Sequence, residues 1–377
     1  MTRARTQAPD SYQESARPGR VLMTSDMLGG VWTYCVELAG ALSRAGTDVC
    51  LATMGRGMSA AQRKDVRRLS GVHVVERAFK VEWMDDAEND VREAGEWLLG
   101  LASSFEPDVV HLNGYAHGAL PWRVPVIVVG HSCVASWWEA VRPADPQPEL
   151  RWYRRAVQSG LHAASLVVAP TFAMLAALQR HYGVFRRARV VANGREAARF
   201  TRGRKAPFVM TVGRLWDPAK DVAALERVAP RLSWPVCAAS EFAGTERDSQ
   251  AVHHVTWLGA LSPREMSAWL SHASIYALPA RYEPFGLSAL EAALSGCALV
   301  LGDIPSLREL WDGVAMFAAD DDELATAIQW LIAHPAQRQS LAARARRRAR
   351  RFSVEAMVAG YLQAYEVARD ASPAAVQ

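Results

Sequence analysis

The chain has 377 residues, half of them hydrophobic, and 43 Lys and Arg against 39 Asp and Glu leave a net charge of +4. That length exceeds one ordinary core and suits two domains, and so small a charge argues against nucleic acid as the main partner. Five cysteines without a C-x-x-C pair argue against a disulfide framework and fit a reducing compartment, and no apolar run is long enough to span a bilayer.

Residues 1–19 are polar and carry no hydrophobic signal core, so they read as a flexible tail on a cytoplasmic protein. Arg20 to Thr24 reads as a first buried strand and Trp32 to Arg44 as the helix after it, closed by Gly46. Between them, Asp26-Met-Leu-Gly29-Gly30-Val31 takes the place of a G-x-G-x-x-G fingerprint. Its two glycines suit either a tight turn or the close approach of a ligand to backbone. Strand-like runs follow at Asp48 to Met54, Val72 to Glu76, Asp108 to Leu112, Val124 to Val129 and Ser165 to Ala169. Their Val, Leu and Ile content predicts strands covered on both faces, in a parallel sheet between helices. Val128-Val-Gly-His131-Ser-Cys133 puts a histidine directly after one of these strands, as a packed residue or a site residue. Beyond it, Trp137-Trp138 and Trp152-Tyr153 are either core aromatics or stacking faces for a sugar or lipid.

Asn193 to Pro207, with four arginines and a lysine, reads as a linker. A second strand series follows at Phe208 to Val212, Val236 to Ala239, Val255 to Leu258, Ser274 to Leu278 and Ala298 to Leu301. The expected architecture is α/β, with two doubly wound Rossmann-like domains (20–195 and 196–352) facing across a cleft. The strand ends of both domains then meet at one ligand site.

Two segments of the second domain carry chemistry. In Val212-Gly-Arg-Leu-Trp-Asp-Pro-Ala-Lys-Asp221, Arg214 offers a forked donor and Lys220 a point charge. They suit a diphosphate leaving group, or are two solvated loop charges. In Arg281-Tyr-Glu-Pro-Phe-Gly-Leu-Ser-Ala-Leu-Glu291, the order is strand, proline loop and a helix opening near Gly286. Free amides at Phe285, Gly286 and Leu287 would attract phosphate, and Glu283 and Glu291 would accept sugar hydroxyls. The plainer reading is an ordinary acidic first turn. Asp320-Asp-Asp322 reads as a helix N-cap with first-turn charges rather than a metal clamp. The six arginines from Arg344 to Arg351 read as a solvated helix face, with contact to anionic lipid as the alternative. No H-E-x-x-H, G-x-S-x-G or P-loop pattern occurs, and no metal site is expected.

Glu-Pro-Phe-Gly-Leu with a glutamate at each end of the E-x7-E spacing resembles the motif of retaining GT-B glycosyltransferases, specifically glycosyltransferase family 4. By that resemblance Glu283 faces the donor sugar and Glu291 the ribose, while Arg214 and Lys220 grip the diphosphate. Lys220 lies six residues after Arg214, one more than in many members. His131 faces the sugar, with His-Ser where many members have His-Asp, and Gly29 and Gly30 lie near the donor phosphates. Asn193-Gly194 resembles the family's domain junction, and Ser353 to Ala368 resembles the C-terminal helix (353–368) that returns to the first domain. The implied activity is retaining, metal-independent sugar transfer from a nucleotide-diphosphate sugar, which is a substrate and not a cofactor. The implied acceptor is a small molecule, a saccharide or a lipid-linked molecule, and peripheral membrane contact is compatible. Two other readings stay open: a non-transferring enzyme such as a sugar-nucleotide epimerase, and a catalytically silent nucleotide-sugar-binding subunit.

Overall fold

The computed structural model describes residues 17–27, 29–142, 144, 150–213, 217–240 and 253–370. Most of the expected tail (1–16) and Arg214 therefore lie outside the described residues. Seven parallel strands form the first sheet: β1 (Arg20–Asp26), β2 (Asp48–Met54), β3 (Val72–Glu76), β4 (Val109–Leu112), β5 (Val126–Val129), β6 (Leu166–Ala169) and β7 (Ala188–Val190). They run in the order β3-β2-β1-β4-β5-β6-β7. The second sheet contains β8 (Ala206–Val212), β9 (Val236–Ser240), β10 (Val255–Ala260), β11 (Ala273–Leu278), β12 (Ala298–Gly302) and β13 (Met316–Ala318). Its order is β10-β9-β8-β11-β12-β13. The edge strands β7 and β13 escape the sequence reading because three half-buried residues carry no readable period. Strand β8 also takes Ala206 and Pro207 from the expected linker.

Alternation along the strands explains why the runs are apolar throughout. Val21 and Met23 of β1 enter one core and Leu22 enters the core on the opposite face. Neither face meets water at these positions, so they are filled by hydrophobes, each worth about 1.5–3 kcal/mol on full burial. All five cysteines are free and buried among these side chains.

The first domain carries α1 (Gly30–Arg44), α2 (Ala60–Val66), α3 (Glu88–Phe105), α4 (Val134–Val141), α5 (Arg151–Ala163) and α6 (Phe172–Tyr182). The second carries α7 (Val222–Val228), α8 (Pro263–His272), α9 (Leu287–Leu294), α10 (Pro305–Trp311), α11 (Asp321–Ala333) and α12 (Pro335–Ala349). A last helix, α13 (Val354–Arg369), returns to the first domain. Its stripe of Met357, Tyr361, Tyr365 and Ala368 is buried in one core with Tyr34 and Leu38 of α1. The two chain crossings run side by side: the Arg195 amide donates to the Phe352 carbonyl at 3.0 Å. They approach so closely that a Cβ on Gly194 would lie 2.2 Å from the Ser353 carbonyl oxygen, so only glycine fits.

Asp320 is the N-cap of α11, accepting from the Glu323 amide at 2.8 Å. The solvated-face reading of the arginine run holds for Arg347, Arg350 and Arg351, which are exposed, and needs correction for the other three. Arg344 donates to the Gly313 carbonyl, Arg346 to Leu294 at 2.9 Å and Arg348 to Leu310 at 2.9 Å. These carbonyls lie at or near the ends of α9 and α10, whose unpaired C-terminal acceptors a guanidinium can satisfy.

The domains also meet beside the cleft. Thr171 donates to the Pro284 carbonyl at 2.9 Å, and the Glu309 carboxylate accepts from the Phe172 and Ala173 amides, each at 2.9 Å. A second-domain side chain therefore caps the first turn of a first-domain helix.

Candidate active site

Strand order reverses between β1 and β4 in one sheet and between β8 and β11 in the other. Ligands of doubly wound sheets bind where the order reverses, at the carboxyl ends of the strands. The loops that leave these ends carry Gly29, Asn113 and His131 in the first domain and Gly213, Lys220 and Glu283 in the second.

Gly29 and Gly30 open α1, and a Cβ on Gly30 would lie 3.2 Å from Cδ1 of Leu287. The glycine turn thus faces the tip of α9 across the cleft. Gly286 stands at that tip with φ +85, a conformation that favours glycine, and no side chain caps the first turn. The helix opens near Gly286, as the sequence reading expects. Phe285 contributes backbone only, because its ring is buried against Phe352 with centroids 5.7 Å apart.

Lys220 Nζ donates to Glu283 at 2.6 Å, with side chains 19% and 13% exposed. The loop 217–220 sets this pair: the Ala219 carbonyl accepts from the Arg281 and Tyr282 amides at 2.9 and 3.2 Å. An ammonium has three donors, so two remain for a ligand anion. Glu291 is placed differently from Glu283. It is 4% exposed, and Nε of Arg195 lies 2.8 Å from it. Arg195 also pairs with Glu37 of α1 at 2.7 Å. The resulting Glu37–Arg195–Glu291 triad joins the two domains at the chain crossing.

His131 bonds Oδ1 of Asn113 through Nε2 at 2.7 Å. The amide of Asn113 is oriented by its Nδ2, which donates to the Thr24 carbonyl at 2.7 Å, so Oδ1 must accept. His131 therefore carries its proton on Nε2 and presents a lone pair at Nδ1. Burial pushes its imidazole down to about 3, and that of His111 likewise, the latter mainly by burial and then by the neighbouring His131. Both histidines are neutral in the folded state, so they stabilise it fully above the ordinary imidazole value of about 6.5. That contribution is lost as pH falls from there towards 3. Nitrogen-detected NMR should show both rings neutral at pH 5, whereas a solvated histidine is mostly charged there. A charged ring at either position would refute the assignment.

Several residues of this region went unread in the sequence. Asn113 follows β4 in an Asn-Gly pair, which signals only a turn. Tyr282 lies inside the E-x7-E segment, yet its role is across the boundary: its hydroxyl accepts from the Cys133 amide at 3.2 Å and meets Ser136 Oγ at 2.8 Å. Arg195, Glu37 and Glu309 have no local pattern at all.

Two family models match consecutive stretches of the chain. The one described as Glycosyltransferase Family 4 matches residues 28–199, and the one described as Glycosyl transferases group 1 matches residues 206–334. The chain belongs to glycosyltransferase family 4. This family 4 glycosyltransferase is 28% identical to a glycogen synthase of Mycobacterium tuberculosis, over 87% of this chain and 90% of that protein. It is also 28% identical to a D-inositol 3-phosphate glycosyltransferase of Xylanimonas cellulosilytica, over 92% and 93%. Among solved structures, the sucrose-phosphate synthase of Thermosynechococcus elongatus superposes with a TM-score of 0.78 at 18% identity, covering 94% of this chain and all of that one. HepE of Anabaena, solved with UDP and glucose, superposes with a TM-score of 0.73 at 16% identity, covering 92% and 98%. The fold of the transferase is thus GT-B, as the sequence reading expects. Among its described residues, no group of three or more His, Cys, Asp or Glu could hold a metal ion, and no helix is long and apolar enough to cross a membrane.

Proposed function

We propose that this enzyme transfers a sugar from a nucleotide-diphosphate sugar to an acceptor hydroxyl, with retention of anomeric configuration and without a divalent metal. The observation that carries the reading is the Lys220–Glu283 pair beside the uncapped tip of α9, opposite Gly29, Gly30 and His131. In this proposal the departing diphosphate is held by Lys220, by Arg214 and by the amides at Phe285 to Leu287. Charge developing on the leaving group is stabilised by donors already in place. Glu283 accepts from the donor sugar, Nδ1 of neutral His131 accepts from a hydroxyl on the facing side, and Glu291 accepts from the ribose. No protein nucleophile is invoked; the acceptor attacks the face from which the diphosphate leaves, and the site works by holding the two close.

The relatives support the donor half of this reading more than the acceptor half, since their names give acceptors as unlike as an inositol phosphate and glycogen. The UDP and UDP-glucose bound in the HepE structures make uridine nucleotides the first donors to assay. The free, buried cysteines support a cytoplasmic location, where nucleotide-sugar transfer meets a reducing milieu.

Calorimetry on two variants tests the assigned roles. Glu291→Gln should weaken both nucleotide-sugar and nucleoside diphosphate, because the ribose is common to both. Glu283→Gln should leave nucleoside diphosphate binding intact and impair sugar transfer alone. A hydrogen bond to a charged acceptor is worth about 1.5–3 kcal/mol, well within reach of the method. Identical behaviour of the two variants towards nucleoside diphosphate would show the division of roles to be wrong. Activity should survive EDTA, and NMR of the product should show the donor's anomeric configuration. An inverted product would exclude the retaining reading.

A further inference from the structure

A second charged site lies in the second domain at the far end of α9 from the donor loop. Along α12, Gln339, Ala343, Arg346 and Arg350 recur at helical spacing on one face, with Ala342 and Arg347 beside them. This face, together with Gly296 and Arg202, lines a pocket of about 190 Å³. Gly296 follows the last turn of α9 in the left-handed region at φ +79, so the opposite wall is bare backbone. The stem of Arg202 lies over it, with Cγ 3.2 Å from where a Cβ would stand.

Arginines in the last turns of a helix complement its dipole, and that alone would account for Arg346, Arg347 and Arg350. It does not account for Arg202, which arrives from the segment before β8 and joins the same pocket. Nor does it account for the lack of counter-charge. Among the described residues none of the four guanidinium groups meets a carboxylate, while other surface arginines such as Arg227, Arg231 and Arg308 pair with Asp321, Asp322 and Asp303. Among the described residues Arg346 alone of the four donates a side-chain hydrogen bond to the fold, to the Leu294 carbonyl. Four like charges around one small pocket repel one another unless an anion sits between them.

We propose that this pocket binds a phosphate group, carried by a free phosphorylated metabolite or by a lipid headgroup. The planar guanidinium fork matches two phosphate oxygens at once, and small Ala342, Ala343 and Gly296 leave room for the anion between the arginines. The site is separate from the donor diphosphate grip, from which the eight-residue α9 divides it by about 12 Å.

The test uses the full-length enzyme, the variant Arg347→Glu/Arg350→Glu and, to disable the donor grip, Lys220→Ala. Inorganic phosphate should raise the melting temperature of the wild type and of Lys220→Ala alike, and should fail to do so in the double variant. A milder variant, Arg202→Gln/Arg350→Gln, should weaken binding by about tenfold or more per lost charge-assisted contact, and keeps the test valid if charge reversal unfolds the chain. Flotation with phosphatidylglycerol vesicles, against phosphatidylcholine vesicles, separates the two sources. Vesicle binding lost in the double variant, with no response to free phosphate, assigns the headgroup; the converse assigns a soluble ligand. A phosphate response that disappears in Lys220→Ala and persists in the double variant would place binding at the donor grip and overturn the proposal. So would the absence of any response to phosphate and to both kinds of vesicle.

Discussion

Replacing Lys220 by alanine is expected to lower turnover by about a hundredfold or more and to lower the melting temperature only modestly. The large kinetic effect follows from where the charge stands. In a site closed by two domains, one donor aimed at the developing anion typically contributes on that scale. The stability effect should be smaller than at a fully buried pair, because both side chains keep some exposure, 19% and 13%, and water can reach Glu283 once the ammonium is gone. Steady-state assays with a saturating donor, beside a thermal melt of the same preparation, separate the two readouts. If Lys220→Ala keeps full turnover, Lys220 has no part in holding the diphosphate, and the reading of this site fails at its centre.

The largest effect on stability is expected at Arg195. Its guanidinium stands between Glu37 and Glu291, and the three residues are 8%, 6% and 4% exposed. Arg195→Met keeps most of the volume and removes the only described positive charge shared by both carboxylates. Both buried carboxylates then lose this guanidinium, Glu37 keeping Arg199 at 3.5 Å, and breaking such a buried pair costs roughly 3–5 kcal/mol. Chemical denaturation followed by both fluorescence and circular dichroism measures the loss, and shows whether the domains still unfold together. Adding Glu37→Gln should restore part of it, because the second substitution removes one of the two like buried charges that shared Arg195. Equal midpoints for wild type and Arg195→Met would show that the triad contributes nothing.

The fold was largely legible because each chain segment announces itself. Strands buried on both faces need nearly unbroken apolar runs, and β2 has the bounds that the sequence reading gives it. The local structure of the segment before α9 was legible for a related reason: Pro279 ends the extended run, Gly286 supplies a conformation that other residues resist, and apolar residues recur at helical spacing from Leu287. What stayed hidden depends on pairs distant in sequence. Arg195 meets Glu37 and Glu291 only because the chain crosses between domains twice at one point, and Glu309 caps a helix that begins 137 positions earlier in the sequence. Arg344, Arg346 and Arg348 of α12 were misjudged for the same reason, since their acceptors are backbone carbonyls at or near the ends of other helices, and carbonyls leave no mark in a sequence.

The contacts of Tyr282, Pro284 and Glu309 bear on more than adhesion between the halves. Tyr282 and Pro284 flank Glu283 on either side, and both are fastened to helix starts of the opposite domain. The carboxylate between them consequently answers to the angle between the domains as well as to its own sheet. If Glu283 holds the donor sugar as proposed, an acceptor that favours one angle alters the affinity for the sugar, and thermodynamic reciprocity then requires the sugar to alter affinity for the acceptor by the same factor. Binding order in this transferase would follow from where one loop is anchored.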